Sequence, residues 1–418
     1  MSLDQVDPEI FQILREEQER QESSIVLIPS ENYAPLSVLE ASASVLANKY
    51  AEGYGDNRYY NGCRNACKVE SIAIERACSL FGAEHANVQP HAGAQANLAI
   101  YYALLEQGDR VLAMNLDHGG HLTHGQKINY SGRWYEIGAY GVDPDTGRID
   151  MDAVESLALE FQPRMIIAGA SAYPRTVDFE RFRSIADQVG AYLLADISHI
   201  AGLIAAEVHP SPVPFADVVT STTHKTLRGP RGAVILCKKE LARRIDRAVF
   251  PGIQSGPLMH VIAAKAVAFL EAATERFRTT QKQTVANATH LAHALIEHGF
   301  DLVSGGTDNH LMLVDLNRSG RTGAEAADLL EESGIVVNKN PIPFDTRSPR
   351  ITSGIRPGTP AVTSRGMGAA DMRQIAQWMH SALSPASSPD LRLEIREEIR
   401  THCQKFPVYG PLPDSKFR

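Results

Sequence analysis

The sequence predicts an α/β fold with a mostly parallel sheet, and two observations carry that prediction. Short apolar segments alternate with longer segments of helical character between residues 70 and 237, which is the order expected when helices cover both faces of a parallel sheet. The chain, at 418 residues, is also longer than one ordinary domain. We therefore expect an N-terminal arm over residues 1–40, a large domain over residues 41–275 and a smaller α+β domain over residues 276–418.

Composition narrows the class of protein. Hydrophobic residues make up 44% of the chain and charged residues 22%, which is typical of globular enzymes, and the net charge of -8 argues against a nucleic-acid partner. There is no run of 18 apolar residues and no signal-peptide pattern at the start. We expect a cytoplasmic protein that does not bind membranes. The five cysteines, few and odd in number, are expected to be free thiols.

The segments before the sheet are one helix and two polar clusters. Residues 7–19 form a charged amphipathic pattern, interpreted either as an arm lying on another subunit or as a frayed terminus. An apolar run at 25–28 ends in the polar cluster 29–33. Residues 50–62 hold four tyrosines, two acids and one arginine, and we interpret them as an active-site lip, a subunit contact or both.

The first strands lead into a small-residue turn and a histidine-rich loop. After a strand at 86–89, the turn Ala92, Gly93, Ala94 opens a helix through residue 105. Backbone N–H groups at such a helix start attract a phosphate, although a tight strand-to-helix turn has the same pattern. A strand at 111–114 precedes the loop 117–125. Its three histidines lack the helical spacing with an acid that a metal site needs, so we expect no metal there.

Two later strands end in the residues that the rest of the chain is organised around. The strand 193–196 ends at Asp196, followed by Ser198 and His199, and the strand 216–220 leads to Lys225. A lysine placed at the carboxyl edge of a sheet can be an amine nucleophile toward a carbonyl. The pair suits pyridoxal phosphate, with Asp196 facing the ring nitrogen and Lys225 forming a Schiff base.

The remaining elements form the second unit. Helical patterns are predicted at 258–297, 323–333, 369–383 and 390–405, with a strand at 311–316. The turn-rich segment around Arg356 places an arginine between Gly354 and Gly358. Such an arginine can bind the carboxylate of an amino acid through two hydrogen bonds, although a surface turn is the plainer interpretation.

These residues resemble a known family, the pyridoxal-phosphate-dependent serine hydroxymethyltransferases. The resemblance runs through nearly the whole chain and is carried by four motifs: NKYAEGY at 48–54, GGHLTHG at 119–125, TTHKTLRGPRG at 222–232 and PGIQ at 251–254. It implies the pyridoxal-phosphate fold type I, with the cofactor in the large domain, and tetrahydrofolate as co-substrate. It also implies a homodimer or tetramer with active sites shared between subunits.

The resemblance assigns roles to individual residues. Lys225 would carry the cofactor, His121 would stack on its ring, and Glu52 and Tyr60 would act on the substrate. The other cofactor contacts that it implies are Asp196, His199, Ala92, Gly93, Ala94, Ser171, His224, Tyr50 and Gly256. The substrate carboxylate would be held by Arg356 and Ser30. The folate would contact Glu52, Leu116, Leu122 and Asn340, and Tyr50 and Tyr60 would reach in from the partner subunit.

Departures from the family pattern keep other functions open. The family usually has Ser-Gly-Ser where this chain has Ala92, Gly93 and Ala94. It also usually has residues other than proline at the two positions that Pro29 and Pro357 occupy in this chain. Proline fixes φ and removes an N–H donor, so the carboxylate-binding residues could be re-aimed. The alternatives are an α-methylserine hydroxymethyltransferase or aldolase that yields alanine, a threonine-type aldolase or transaldolase, and a non-catalytic protein that binds pyridoxal phosphate.

Overall fold

The computed structural model describes residues 2–409, and its strands are short. They are β1 (Ile25–Val26), β2 (Gly53–Tyr54), β3 (Asn57–Arg58), β4 (His85–Asn87), β5 (Arg110–Met114), β6 (Glu136–Tyr140), β7 (Met165–Ala168), β8 (Tyr192–Asp196), β9 (Val218–Thr222), β10 (Ala233–Cys237), β11 (Asp301–Leu302), β12 (Val314–Asp315), β13 (Ile335–Val336), β14 (Asn338–Asn340) and β15 (Gly354–Arg356).

Helices occupy most of the remaining described chain. They are α1 (Leu3–Val6), α2 (Pro8–Ser23), α3 (Leu36–Ser42), α4 (Arg64–Phe81), α5 (Gly93–Leu104), α6 (Tyr130–Trp134), α7 (Met151–Phe161), α8 (Phe179–Val189), α9 (Ala201–Ala205), α10 (Ala242–Arg247), α11 (Met259–Ala272), α12 (Glu275–Glu297), α13 (Gly323–Glu332), α14 (Pro360–Ser364), α15 (Ala369–Leu383) and α16 (Pro389–Cys403). Short 3₁₀ turns lie at Leu116–His118 and Leu122–His124, on either side of His121.

A seven-stranded sheet forms the centre of the large unit. Its strand order is β4-β10-β9-β8-β7-β5-β6, and every pairing is parallel except the two made by β10. The predicted α/β fold with a mostly parallel sheet is confirmed. Because β4 and β9 are both antiparallel to β10, they run in the same direction as β8. The carboxyl ends of β4, β8 and β9 therefore meet at one edge of the sheet.

Apolar residues alternate between two cores, one on each face of this sheet. Ile166 and Leu193 belong to the core on one face, and their chain neighbours Ile167 and Leu194 belong to the core on the other. All are fully buried. Successive side chains of a strand point to opposite faces, so continuous apolar runs are needed where helices cover both faces.

The C-terminal residues have a core of their own around the antiparallel sheet β11-β12-β15-β14. Residues Ile25 and Leu27 belong to this core, and β1 pairs in parallel with β13. The first strand of the chain thus packs with the C-terminal unit. The domain boundaries at residues 40 and 275 stay a prediction.

Several predicted elements differ from the structure. Residues 134–137 have the sequence pattern of a strand, but β6 begins only at Glu136, because α6 extends to Trp134 after Asn129 caps it by accepting the Ser131 N–H at 3.1 Å. The helical stretch 258–297 is two helices, and Thr274 caps the second by accepting the Phe277 N–H at 3.2 Å. The loop 50–62 contains the two-residue pairing β2–β3.

The strand predicted at 311–316 is also shorter, since only Val314–Asp315 pairs as a strand. Leu311 and Met312 are buried, and Leu311 makes a single bridge to Gly358. The apolar run was therefore a sign of burial rather than of strand pairing. In residues 2–409, no helix combines the length and the apolar character needed to cross a membrane.

Candidate active site

A cavity of about 240 Å³ lies at the carboxyl edge where β4, β8 and β9 end. Its lining includes Asp196, the last residue of β8, and Lys225, which lies three residues beyond the end of β9 rather than at the strand end itself. The turn 92–94 after β4 also lines it. The sheet therefore brings together an acid, an amine and a helix start that are up to 133 positions apart in the chain.

Lys225 is a buried amine whose nitrogen has no hydrogen-bond partner among the described residues. Its backbone is held in place, since Asn32 Nδ2 donates to its carbonyl at 3.2 Å and the Arg228 N–H does so at 3.1 Å. Burial lowers the pKa of Lys225 to about 8; Asp196 acts in the opposite direction and Arg356 adds to the lowering. A substantial fraction of the amine is thus neutral, and nucleophilic, near physiological pH.

Four hydrogen bonds hold the Asp196 carboxylate in place. Oδ2 accepts from Asn97 Nδ2 at 2.9 Å and from His124 Nε2 at 3.1 Å, while Oδ1 accepts from the Ser198 hydroxyl at 2.6 Å and its N–H at 3.1 Å. Burial alone would raise the pKa of Asp196, but the hydrogen bonds from His124 and from the Ser198 hydroxyl hold it well below its usual range. The acid is therefore a fixed anion at the cavity wall.

His124 and Asn97 were not predicted from the sequence. The Nδ1 atom of His124 accepts the His121 N–H at 3.3 Å, so its proton lies on Nε2, toward Asp196. The sequence does contain a signal for Asn97, because it is a polar residue within a largely apolar helix, α5. The structure shows that Asn97 is fully buried. Nothing in the spacing of His124 pointed to Asp196, which is 72 positions away.

The other histidines of the cavity are held neutral. Burial lowers the pKa of His121 to about 4 and that of His224 to about 3, and it keeps the pKa of His199 well below its ordinary value. His199 stacks on His310, with ring centroids 5.7 Å apart and planes 24° apart. The sequence had not indicated His310, whose two ring nitrogens have no partner in the described chain. The permanent positive charge at the site thus comes from arginine, not histidine.

The turn 92–94 has the features of an anion cradle. Ala92 precedes α5 in an extended conformation, and its side chain makes no cap bond. A Cβ on Gly93 would lie 2.8 Å from Thr222 Cγ2, so only glycine allows the helix start to approach β9 this closely. Residues 92–94, at the start of α5, line the cavity beside Lys225, and the unpaired N–H groups of a helix start would stabilise an anionic group there.

Arg356 is a partly buried guanidinium without a carboxylate partner in residues 2–409. Its Nη1 donates to the Ser171 carbonyl and its Nε donates to Asn338 Oδ1 at 3.4 Å. Burial lowers the pKa of Arg356 to about 10. Its charge also lowers the pKa of Lys225 and His199, so it lies within electrostatic reach of the cavity. An unpaired guanidinium at this position is suited to bind a substrate carboxylate.

A second cluster of predicted residues does not line this cavity. The Tyr50 hydroxyl lies 3.0 Å from the Ser255 hydroxyl and 3.4 Å from Glu52 Oε1, and the Ser255 hydroxyl donates to the same Glu52 oxygen. Tyr60 meets Tyr50 edge to face at 5.0 Å. Gly256 also belongs to this cluster, because it packs so closely against Tyr50 that a Cβ on it would lie 3.0 Å from the Tyr50 ring. Both tyrosines are about half exposed.

The remaining predicted residues are spread around the cavity. Ser171 lines it, while Ser30 lines a separate cavity of about 630 Å³ next to the N-terminal segment. His224 lines both cavities. Leu116 and Leu122 lie in the 3₁₀ turns beside His121, and Leu122 is half exposed. Asn340, at the end of β14, donates to the Pro341 carbonyl at 2.6 Å.

One group of side chains has the proximity of a metal site. Ligand atoms of His121, His124 and Asp196 lie within 4.8 Å of one another. The His124–Asp196 hydrogen bond already links two of the three, and the His121 Nδ1 atom lies 2.8 Å from the Thr123 hydroxyl. The absence of a metal from this loop stays a prediction.

Comparison with protein families gives one finding. A family model described as serine hydroxymethyltransferase matches residues 3–379, which is about nine tenths of the chain. The matched residues include every residue that lines the cavity, and Arg356.

Proposed function

Because the chain belongs to the serine hydroxymethyltransferase family, whose members depend on pyridoxal phosphate and use tetrahydrofolate, we propose that it interconverts serine and glycine. In this reaction serine and tetrahydrofolate give glycine, 5,10-methylenetetrahydrofolate and water. The observation that supports the proposal most strongly is the unpartnered, buried Lys225 amine beside the fixed Asp196 anion in one cavity.

The residues of the cavity fit pyridoxal phosphate. The helix start at Gly93 suits its phosphate, Asp196 suits a protonated ring nitrogen, and the Lys225 amine suits its aldehyde. When bound, the cofactor supplies an electron-accepting ring that weakens the bonds at the α-carbon of an amino acid.

The chain's own residues then bind, orient and exchange protons. Arg356 holds the substrate carboxylate and so restricts rotation at the α-carbon. Neutral Lys225 can accept or return a proton there, because its pKa lies near 8. Glu52 lies outside this cavity, so we assign its proton-transfer role to the partner subunit's site, together with Tyr50 and Tyr60.

Steady-state assays test the proposed activity. Serine turnover should require tetrahydrofolate, and Arg356→Lys should raise KM for serine because the bidentate carboxylate contact is lost. Folate-independent cleavage of threonine as the dominant activity would indicate an aldolase instead. Binding of pyridoxal phosphate without turnover of any amino acid would indicate a non-catalytic protein.

A second candidate function is hydroxymethyl transfer from α-methylserine. It is favoured by the contact between the segment that contains Pro29 and the segment that contains Pro357. Gly358 follows Pro357, and a Cβ there would lie 2.4 Å from Pro29 Cβ; its N–H donates to the Leu27 carbonyl at 2.6 Å. These segments carry Ser30 and Arg356, so a small shift of either could make room for a methyl group at the α-carbon.

Comparing kcat/KM for α-methylserine and serine separates the two candidates. A methyl pocket contributes about 1–3 kcal/mol of discrimination, so the native enzyme should prefer α-methylserine by at most roughly 200-fold, and Pro29→Ala/Pro357→Ile should reduce that preference. A native preference for serine of several orders of magnitude, unchanged in the double variant, would exclude the second candidate.

A further inference from the structure

A second lysine of the large unit is buried as deeply as the active-site lysine, yet the proposed chemistry does not use it. Lys265 lies on the apolar helix α11 and is 1% exposed. A buried lysine is costly unless its charge is matched by acceptors, so its position calls for an explanation.

Three backbone carbonyls surround the Lys265 nitrogen. Nζ donates to Val88 O at 2.7 Å, to Pro90 O at 2.9 Å and to Ala233 O at 2.7 Å. An ammonium has three N–H donors, whereas a neutral amine has two and would direct its lone pair at the third carbonyl. Burial lowers the pKa of Lys265 to about 7, and the three acceptors oppose that loss of the proton.

These carbonyls belong to the two segments that build the cofactor site. Val88 and Pro90 lead from β4 into the turn at Ala92, while Ala233 begins β10, directly after the loop that carries Lys225. Gly232 is the contact point on that loop: a Cβ there would lie 2.6 Å from Lys265 Cε. One side chain thus joins the phosphate turn to the end of the lysine loop.

The charge of Lys265 also reaches the turn. The pKa of His91, the residue just before Ala92, is lowered mainly by burial and secondly by the positive charge of Lys265. This chain has no hydroxyl at Ala92 or Ala94 to donate to a phosphate. A cation behind the turn would add its positive potential to that of the α5 helix start, where an anionic group would lie.

We propose that Lys265 is a positioning residue for the cofactor phosphate: it ties Pro90 to Ala233 and places a positive charge behind the turn 92–94. The inference rests on the proposed binding of pyridoxal phosphate. Its specific consequence is that Lys265 stabilises the phosphate group and not the pyridine ring or the aldehyde.

Comparing pyridoxal phosphate with pyridoxal tests this assignment. Both compounds react with Lys225, so the ratio of their dissociation constants isolates the phosphate. The full-length apoprotein is titrated with each compound, as the native protein, as Lys265→Met and as the control Lys238→Met, which removes a lysine that pairs with Asp217. We expect Lys265→Met to weaken pyridoxal phosphate about tenfold or more and pyridoxal by less than about twofold, with Lys238→Met unchanged.

Equal weakening of both compounds would overturn the assignment and leave Lys265 as a packing residue, and so would no weakening of either. If Lys265→Met is not recovered folded, Lys265→Gln, which keeps two N–H donors without the charge, is judged by the same ratio. A native protein that binds neither compound would instead refute the proposed function, so the two failures are distinguishable.

Discussion

At the scale of the residue, burial alone does not distinguish a reactive lysine from a structural one. Lys225 and Lys265 are both buried, and burial lowers the pKa of each, to about 8 and about 7. They differ in their partners, because the Lys265 nitrogen donates to three carbonyls and the Lys225 nitrogen faces a cavity. Availability, rather than pKa, therefore determines which amine can react.

Reductive labelling should separate the two lysines. Borohydride treatment of the protein with pyridoxal phosphate, followed by peptide mapping, should place the label on Lys225, because its nitrogen is free to reach the aldehyde. Lys225→Gln should abolish the label and Lys265→Met should retain it. A label on Lys265, or on any other lysine, would contradict the assignment.

The lowered pKa of Lys225 predicts a pH dependence of cofactor capture. Only the neutral amine attacks the aldehyde, so the rate at limiting pyridoxal phosphate should rise with pH and level off above about 8, instead of near the ordinary value of 10.5. Absorbance-detected mixing between about pH 6 and about pH 10 measures this rate. A rise centred near the ordinary lysine pKa would show that the amine is solvated before the cofactor binds.

At the scale of the element, the N-terminus of α5 lacks the side chains that helix starts usually have. Ala92 occupies the cap position and makes no side-chain hydrogen bond. Ala94, two residues later, likewise has no hydroxyl group. The cradle must rely on backbone N–H groups and on the close approach that Gly93 permits. This helix start is therefore both weakly capped and open to an anion.

Ala92→Ser/Ala94→Ser should strengthen this element in two ways. A serine at the cap adds about 0.5–2 kcal/mol of stability, and hydroxyl donors to a charged phosphate contribute about 1.5–3 kcal/mol each. Thermal unfolding of the apoprotein measures the first effect, and titration with pyridoxal phosphate against pyridoxal measures the second. Unchanged or weaker phosphate affinity would mean that water or another side chain already occupies those positions.

At the scale of the whole molecule, the predicted catalytic residues fall into two groups. Lys225 and Asp196 line the cavity, whereas Glu52, Tyr50 and Tyr60 form a half-exposed cluster that does not line it. A site shared between subunits would bring the cluster of one chain to the cavity of another. This arrangement remains a prediction for the assembled protein.

Mixing two inactive variants tests the shared site. Lys225→Gln and Glu52→Gln should each be inactive alone, but a hybrid dimer would keep one site with both native residues. Statistical exchange of subunits should restore about a quarter of native activity. Hybrids verified by mass spectrometry that remain inactive would place Glu52 in the same chain's site.

The sequence by itself determined the α/β fold and the family, and it pointed to Asp196 and Lys225 as partners in one site. It could do so because alternating apolar runs reveal strands, and parallel strands deliver their carboxyl ends to one edge. Local patterns also located the small-residue turn at Gly93. Each of these signals lies within a short stretch of chain.

Only the tertiary structure decided which side chains surround those residues. His124 and Asn97 bind Asp196, and Lys265 joins carbonyls of β4 and β10, through contacts between segments far apart in the chain. The buried run at 311–316 shows the same limit, since an apolar pattern records burial but not hydrogen-bond partners. Pairings of this kind follow from how the sheet and helices pack, and no local pattern encodes them.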